Sequence, residues 1–238
     1  MLTTILFDLD GTLLPIQEGP FIEAYFGRMA RYFALLGYEP TSFIQAVWVG
    51  TNAMRKNIGS ITNEQRFMEV FKPLIPHLQE DIEQEFLRFY EQEFDHVQVS
   101  SCVEPLAKQI ISLLKSKGYQ LILATNPLFP QIATRKRVAW ANLDWDDFLF
   151  VTTYETSRFA KPSLGYYQEI MDRFELNPQE CLMIGNDASE DMAASVLGMD
   201  VYLLRDGLIN NKEVDISKFK QGYFKDLYQY VSDLPSLL

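Results

Sequence analysis

The sequence predicts an α/β protein: a parallel sheet covered by helices on both faces, interrupted after its first strand by an all-helical insert. Two observations carry that prediction. From residue 105 onward, short and nearly continuous apolar runs alternate with helical patterns, the rhythm of strand–helix–strand units whose strands are buried on both sides. Between residues 15 and 100 apolar residues instead recur at helical spacing, and no strand of five or six residues is evident. A connection that long inside a compact domain has to be a structure of its own. Residues 1–14 and 101–238 are therefore expected to form the sheet domain, and 15–100 the helical one.

Taken in order, Ile5, Leu6 and Phe7 read as a buried strand, left by the turn Gly11-Thr12. Phe21, Tyr25, Met29, Tyr32, Phe33 and Leu36 then trace a helix from Pro20, with Gly37 as its C-cap. Thr41 or Ser42 is expected to cap a second helix carrying Phe43, Ala46, Val47 and Val49. Thr62 with Gln65 matches a capping box opening a third, which Pro73 stops. Gln79 to Phe94 gives a fourth. Beyond it, Pro105 to Lys117, Pro130 to Ala139, Pro162 to Phe174 and Ser189 to Leu197 read as helices. Tyr119–Ala124, Phe148–Val151, Cys181–Ile184 and Asp200–Leu204 read as the strands between them. The remainder is expected to be a loop and a short helix, frayed over Leu234–Leu238.

With 238 residues, 47% of them hydrophobic and 13% aromatic, the chain can bury a substantial core. No run of eighteen apolar residues occurs, and the first strand starts too soon after Met1 for a signal peptide, so a cytoplasmic location is expected. Cys102 and Cys181 lie far apart and read as small core or near-core residues. The formal charge of −11 points away from nucleic acid and anionic membrane as partners. It does not exclude an anionic substrate, because a bound cation and a local lysine reverse the field inside a pocket.

Three strand ends carry polar groups directly after an apolar run: Asp8, Thr125-Asn126 and Asp187. Each alone reads more readily as a turn or cap residue. In a parallel sheet, however, such ends line one edge, where open α/β sheets bind ligands. Asp187 and Asp191, four apart, can reach one cation if the first lies in a loop and the second in the following turn. Glu190 reads as an acid at a helix N-terminus. With Asp8 these make a hard, all-oxygen set suited to magnesium; His77 and His96 both fall in the insert, and zinc is disfavoured.

Asp8-Leu9-Asp10-Gly11-Thr12 resembles the first motif, Asp-x-Asp-x-Thr, of the haloacid dehalogenase-like hydrolases, most of which are phosphatases and phosphomutases. Thr125 resembles the second motif, Lys161 in Ala160-Lys161-Pro162 the third, and Gly185-Asn186-Asp187-Ala188-Ser189-Glu190-Asp191 the acidic fourth. The fourth departs from the common Gly-Asp form by reading Gly185-Asn186-Asp187. The resemblance implies a Rossmann-like core with a small helical cap inserted after the first strand. It implies Asp8 as nucleophile, Asp10 as acid and base, and Thr125 and Lys161 on the phosphoryl group, with Asn126 as a further donor to it; Arg158, three residues before Lys161, is a candidate to meet an anionic substrate, against the simpler reading of an exposed loop charge. The resemblance also implies Mg2+ held by Asp8, Asp10, Asp187 and Asp191.

The reading that follows is a magnesium-dependent phosphomonoesterase working through an aspartyl-phosphate on a small phosphorylated metabolite. Alternatives are a phosphomutase of the same superfamily and a non-catalytic member that binds a metabolite or a protein. Monomer and homodimer both stay open. Trp48, Asn52, Arg55 and Lys56 are candidates for a substrate-facing patch, against the simpler reading that Trp48 packs and the two cations face water. Arg135, Lys136 and Arg137 read as the solvent face of a helix.

Overall fold

The computed structural model describes residues 1–77 and 80–238. Among them, six strands form one sheet in the order β3-β2-β1-β4-β5-β6. They are β1 (Thr4–Phe7), β2 (Gln120–Leu123), β3 (Phe150–Val151), β4 (Cys181–Gly185), β5 (Asp200–Leu204) and β6 (Lys220–Gly222), and every pairing is parallel. The expected fold class holds. β1 lies between β2 and β4, with Phe7 opposite both Leu123 and Ile184. Side chains alternate across the sheet. Ile5, Phe7, Leu121, Leu123, Leu182 and Ile184 face one core, with α5 (Pro105–Ser116) and α8 (Phe224–Asp233). Leu6, Ile122 and Met183 face the other, against α7 (Leu164–Phe174).

The insert contains α1 (Glu18–Leu35), α2 (Pro40–Arg55), α3 (Asn63–Phe71) and α4 (Ile82–Gln92). The expected start of the fourth helix at Gln79 lies outside the described residues. An aromatic cluster holds the insert together: Phe33 stacks on Phe43 at 4.1 Å between ring centroids, with Phe71, Phe86 and Phe89 around them. The chain leaves and re-enters the sheet domain side by side, since Ile16 and Ser101 form an antiparallel bridge and Cys102 N donates to Pro15 O. The third helix has both halves of its Thr62–Gln65 capping box.

Several local expectations change. The second helix is capped by Glu39, whose carboxylate accepts from Thr41 N and Ser42 N, because Pro40 suits the first helical position and moves the cap upstream. The expected helix from Ser189 shrinks to a tight turn over Met192–Leu197, since Asp187 Oδ1 takes the amides of Ser189 and Glu190 and holds that stretch as a loop. β6 was expected as loop; Lys220-Gln221-Gly222 has no apolar alternation, and it pairs through backbone along the edge of β5. The C-terminus is tied down where fraying was expected: Lys117 Nζ donates to Val231 O and Ser232 O, and Tyr119 OH to Pro235 O. Cys181 is buried as expected, but Cys102 is exposed, because it sits where the chain crosses back from the insert. Among the described residues, no helix is long and apolar enough to cross a membrane.

Candidate active site

The register of the three central strands brings their carboxyl ends to one edge. Asp8 N donates to Ile184 O at 2.9 Å, and Ala124 N to Phe7 O at 2.7 Å, so the residues after β1, β2 and β4 emerge together. Thr125 is buried there; its carbonyl accepts from Thr152 Oγ1 (2.6 Å) and Tyr166 OH (2.9 Å), which anchors the loop. Asn126 is committed at both ends. Its Oδ1 accepts from the backbone N of Lys161 (3.3 Å) and its Nδ2 donates to Glu190 Oε2 (2.8 Å).

Lys161 is the centre of charge. It is 1% exposed, and its Nζ lies 2.8 Å from Asp8 Oδ1 and 2.6 Å from Asp191 Oδ1. Burial alone would lower the ammonium pKa, but Asp191 and Asp8 more than offset it, and the group is held well above the ordinary lysine range. Burial raises the Asp191 carboxyl while Lys161 works against the rise. The other Asp191 oxygen accepts from Asp187 N at 2.9 Å. A Cβ on Gly185 would lie 2.1 Å from that same oxygen, so only glycine lets the strand end approach this carboxylate.

On the other side of Asp8, Thr12 Oγ1 lies 3.3 Å from Asp8 Oδ2 and 2.9 Å from Asn186 Oδ1. Asn186 Nδ2 donates to Gly207 O, so this residue ties the first motif to the loop after β5. Gly11, at φ +79°, makes the close turn; a Cβ there would stand 2.4 Å from Asn186 Nδ2. Asp187 spends Oδ1 on Ser189 N, Ser189 Oγ and Glu190 N.

Two residues depart from their expected surroundings. Arg137, read as part of a solvent-facing trio, is 1% exposed on α6 (Gln131–Trp140), and its Nη1 pairs with Asp10 Oδ2. Of that trio, Arg135 is exposed over Trp145 and Lys136 is half-buried beside Asp95. Thr134, Arg137, Val138 and Ala141 share one helical face, and all four are buried. Burial raises the Asp10 carboxyl, and Arg137 opposes that rise. Arg158 is not brought to the cluster. Its Nε and backbone N both bind the Glu169 carboxylate on α7, at 2.7 and 2.9 Å.

The insert reaches the site through Arg55, whose Nη1 donates to Glu190 Oε1 at 3.3 Å. Burial raises the Glu190 carboxyl, with Lys161 and Arg55 lowering it in part. Trp48, about two helical turns from Arg55, stacks on Phe26 at 4.7 Å yet remains 40% exposed. Asn63 was not singled out by the sequence. Fully buried at the start of α3, it donates to Pro127 O and Phe159 O, both at 3.1 Å, and so clamps the loops that carry Thr125 and Lys161.

The donors fit a hard divalent cation in kind. All four acids offer oxygen, the donor type a hard divalent cation prefers, and Asp10 Oδ1 is a buried oxygen without a hydrogen-bond partner among the described residues. As they stand, no three His, Cys, Asp or Glu side chains among the described residues form a group able to hold a metal ion. Asp191 has both oxygens engaged by Lys161 and by backbone.

A family model for haloacid dehalogenase-like hydrolases matches residues 2–196. The chain is similar to a ribulose-1,5-bisphosphate 5-phosphatase of Halopiger xanaduensis, 25% identical over 207 residues that cover 85% of this chain and 84% of that one. Its fold is similar to that of the HAD phosphatase from Thermococcus onnurineus (TM-score 0.61, 19% identity, 99% of this chain and 100% of that one). It is also similar to that of CbbY from Rhodobacter sphaeroides in complex with phosphate (TM-score 0.59, 16% identity, 95% and 96%). With its parallel sheet, its helical insert after β1 and the matched span taken together, the chain belongs to the haloacid dehalogenase-like hydrolase family.

Proposed function

We propose that the protein is a magnesium-dependent phosphomonoesterase acting on a small phosphorylated metabolite. The observation that carries this reading is the Lys161 ammonium held 2.8 Å from Asp8 beneath the convergent strand ends. Phosphoryl transfer needs an in-line nucleophile, a cation for the transferring oxygens and a proton for the leaving group. An Asp8 oxygen attacks phosphorus as the bond to the leaving oxygen breaks, giving an aspartyl-phosphate. Asp10 donates its proton to the leaving oxygen, then takes one from the water that cleaves the intermediate and frees inorganic phosphate. Lys161 and Thr125 hold the phosphoryl oxygens. Magnesium, when bound, supplies the charge that lets an anionic ester approach Asp8. Asp8 and Asp187 would hold it, while Asp191 anchors Lys161 and Asp10, paired with Arg137, is left for proton transfer.

The helical insert acts as the cap, excluding bulk water over Asp8. The ribulose bisphosphatase named above acts on a sugar phosphate. A polyol or sugar phosphate is accordingly the first ester class to try. The test is phosphate release from an aryl phosphate and a metabolite panel, with magnesium or with chelator, for the native protein and Asp8→Asn. Magnesium-dependent release lost by on the order of 10³-fold or more in the variant is expected. Formation of an isomeric sugar phosphate without phosphate release would replace the hydrolase by a mutase. A folded, metal-loaded protein that turns over no ester in the panel would overturn the reading.

A further inference from the structure

We infer that Arg137 is a positioning residue for Asp10, an assignment that rests on the phosphatase reading above. A fully buried arginine is costly unless its charge and donors are used. Here Nη1 pairs with Asp10 Oδ2, Nη2 donates to Thr134 Oγ1 at 3.2 Å, and the guanidinium carbon lies 4.4 Å from the Phe129 ring centroid; Nε alone is buried without a partner among the described residues. Three contacts from three directions fix the plane of the guanidinium, and its Nη1 holds one oxygen of the carboxylate through a charge-assisted bond. Asp10 is thereby left with one oxygen tied towards α6. The other, Oδ1, is buried without a hydrogen-bond partner among the described residues, and is the oxygen available to a leaving group.

The support behind Arg137 is itself shared between the two domains. Phe129 follows Thr125-Asn126 by three residues and packs on Phe21, Tyr25 and Phe94 of the insert, at 6.1, 5.5 and 6.2 Å between centroids. Thr134 is held in turn by Pro130 O. One segment, residues 125–137, thus both presents Thr125 at the strand end and orients the acid opposite it. Asp10 lies 127 residues away in sequence, so nothing local marks this pairing.

A residue that places the general acid matters in proportion to how much the leaving group needs a proton. The experiment compares kcat/KM on 2,4-dinitrophenyl phosphate, whose phenolate leaves unaided, and on phenyl phosphate, whose phenolate does not. It uses the magnesium-loaded native enzyme, Arg137→Lys and Arg137→Gln. The expected result is a loss on phenyl phosphate roughly tenfold or more larger than on the dinitrophenyl ester. An equal loss on both esters would mean general damage or direct contact with the phosphoryl group, and would overturn the assignment.

Because Arg137→Gln strands a buried carboxylate and Asp10→Asn a buried guanidinium, Asp10→Asn and Asp10→Asn/Arg137→Gln are compared as well, each first shown to be folded by thermal melting; the double variant carries neither unpaired charge. Their kcat/KM values on the dinitrophenyl ester are expected to agree within about twofold, as befits a residue acting through Asp10. A further large loss in the double variant would show that Arg137 acts independently. A native protein that releases phosphate from neither ester overturns the phosphatase reading, and this assignment with it; a native protein that does so with uniform variant losses overturns this assignment alone.

Discussion

The clamp at Asn63 invites the most direct test of how the insert shapes the site. Its amide donates to Pro127 O and Phe159 O at 3.1 Å each and accepts from Asn57 Nδ2 at 2.9 Å, all in the interior. Asn63→Ala removes three buried hydrogen bonds. At about 1 kcal/mol each the loss is about 3 kcal/mol, and the two stranded carbonyls push it towards the upper end of a range of about 2–5 kcal/mol. For a domain of this size that is roughly 6–12 °C in Tm. It is a large share of a typical stability of about 5–15 kcal/mol, though not all of it.

Asn63→Asp sharpens the test because it keeps the shape and aims carboxylate oxygens at two carbonyls. Its charged form is disfavoured in the folded state, so the folded pKa lies above the unfolded value of about 3.9. The extra penalty is then absent below that value and grows as pH rises through the folded pKa. Urea midpoints of the two variants should diverge at pH 7, Asp being the less stable, and converge towards pH 4. The backbone bonds Asn63 N to Ser157 O and Glu64 N to Tyr154 O stay in place, so the insert should remain docked and KM should change more than the fold. A loss below about 1 kcal/mol for Asn63→Ala, with no pH divergence for Asn63→Asp, would refute the clamp; water would then be serving those carbonyls.

Two further outcomes follow from the insert. Phe33→Ala should cost about 3–5 kcal/mol by urea unfolding, since Phe33 is fully buried against Phe43, Phe86 and Phe89; a loss near 1 kcal/mol would mean the aromatic cluster collapses into the space. Glu39, held down at about 2 by the hydroxyl and amide of Ser42 and the amide of Thr41, contributes stability above its unfolded pKa and loses it as pH falls. Glu39→Gln should therefore lower Tm at pH 6–7, by a difference that shrinks steadily as pH falls towards about 2; a pH-independent difference would point to packing instead.

What the sequence determined by itself is whatever local chemistry decides. Period-two and period-3.6 patterns identify which residues face a core, because burial of apolar surface acts along each element separately, and so β1, β2, β4, β5 and the four insert helices were legible. The Thr62–Gln65 box was equally legible, since both partners lie within one turn. So was the clustering of Asp8, Thr125 and the Asp187–Asp191 loop at one edge, because parallel strands align their ends. Only the tertiary structure decided the rest. A charge goes inside when its counter-charge arrives from elsewhere, which is why Arg137 left the solvent for Asp10 while its neighbours Arg135 and Lys136 stayed out. The clamp at Asn63, the Arg55–Glu190 contact and the pairing of β6 along β5 likewise depend on partners far along the chain. Local periodicity carries no information about which distant group a polar side chain will meet; that is settled only when the sheet edge and the insert close on one another.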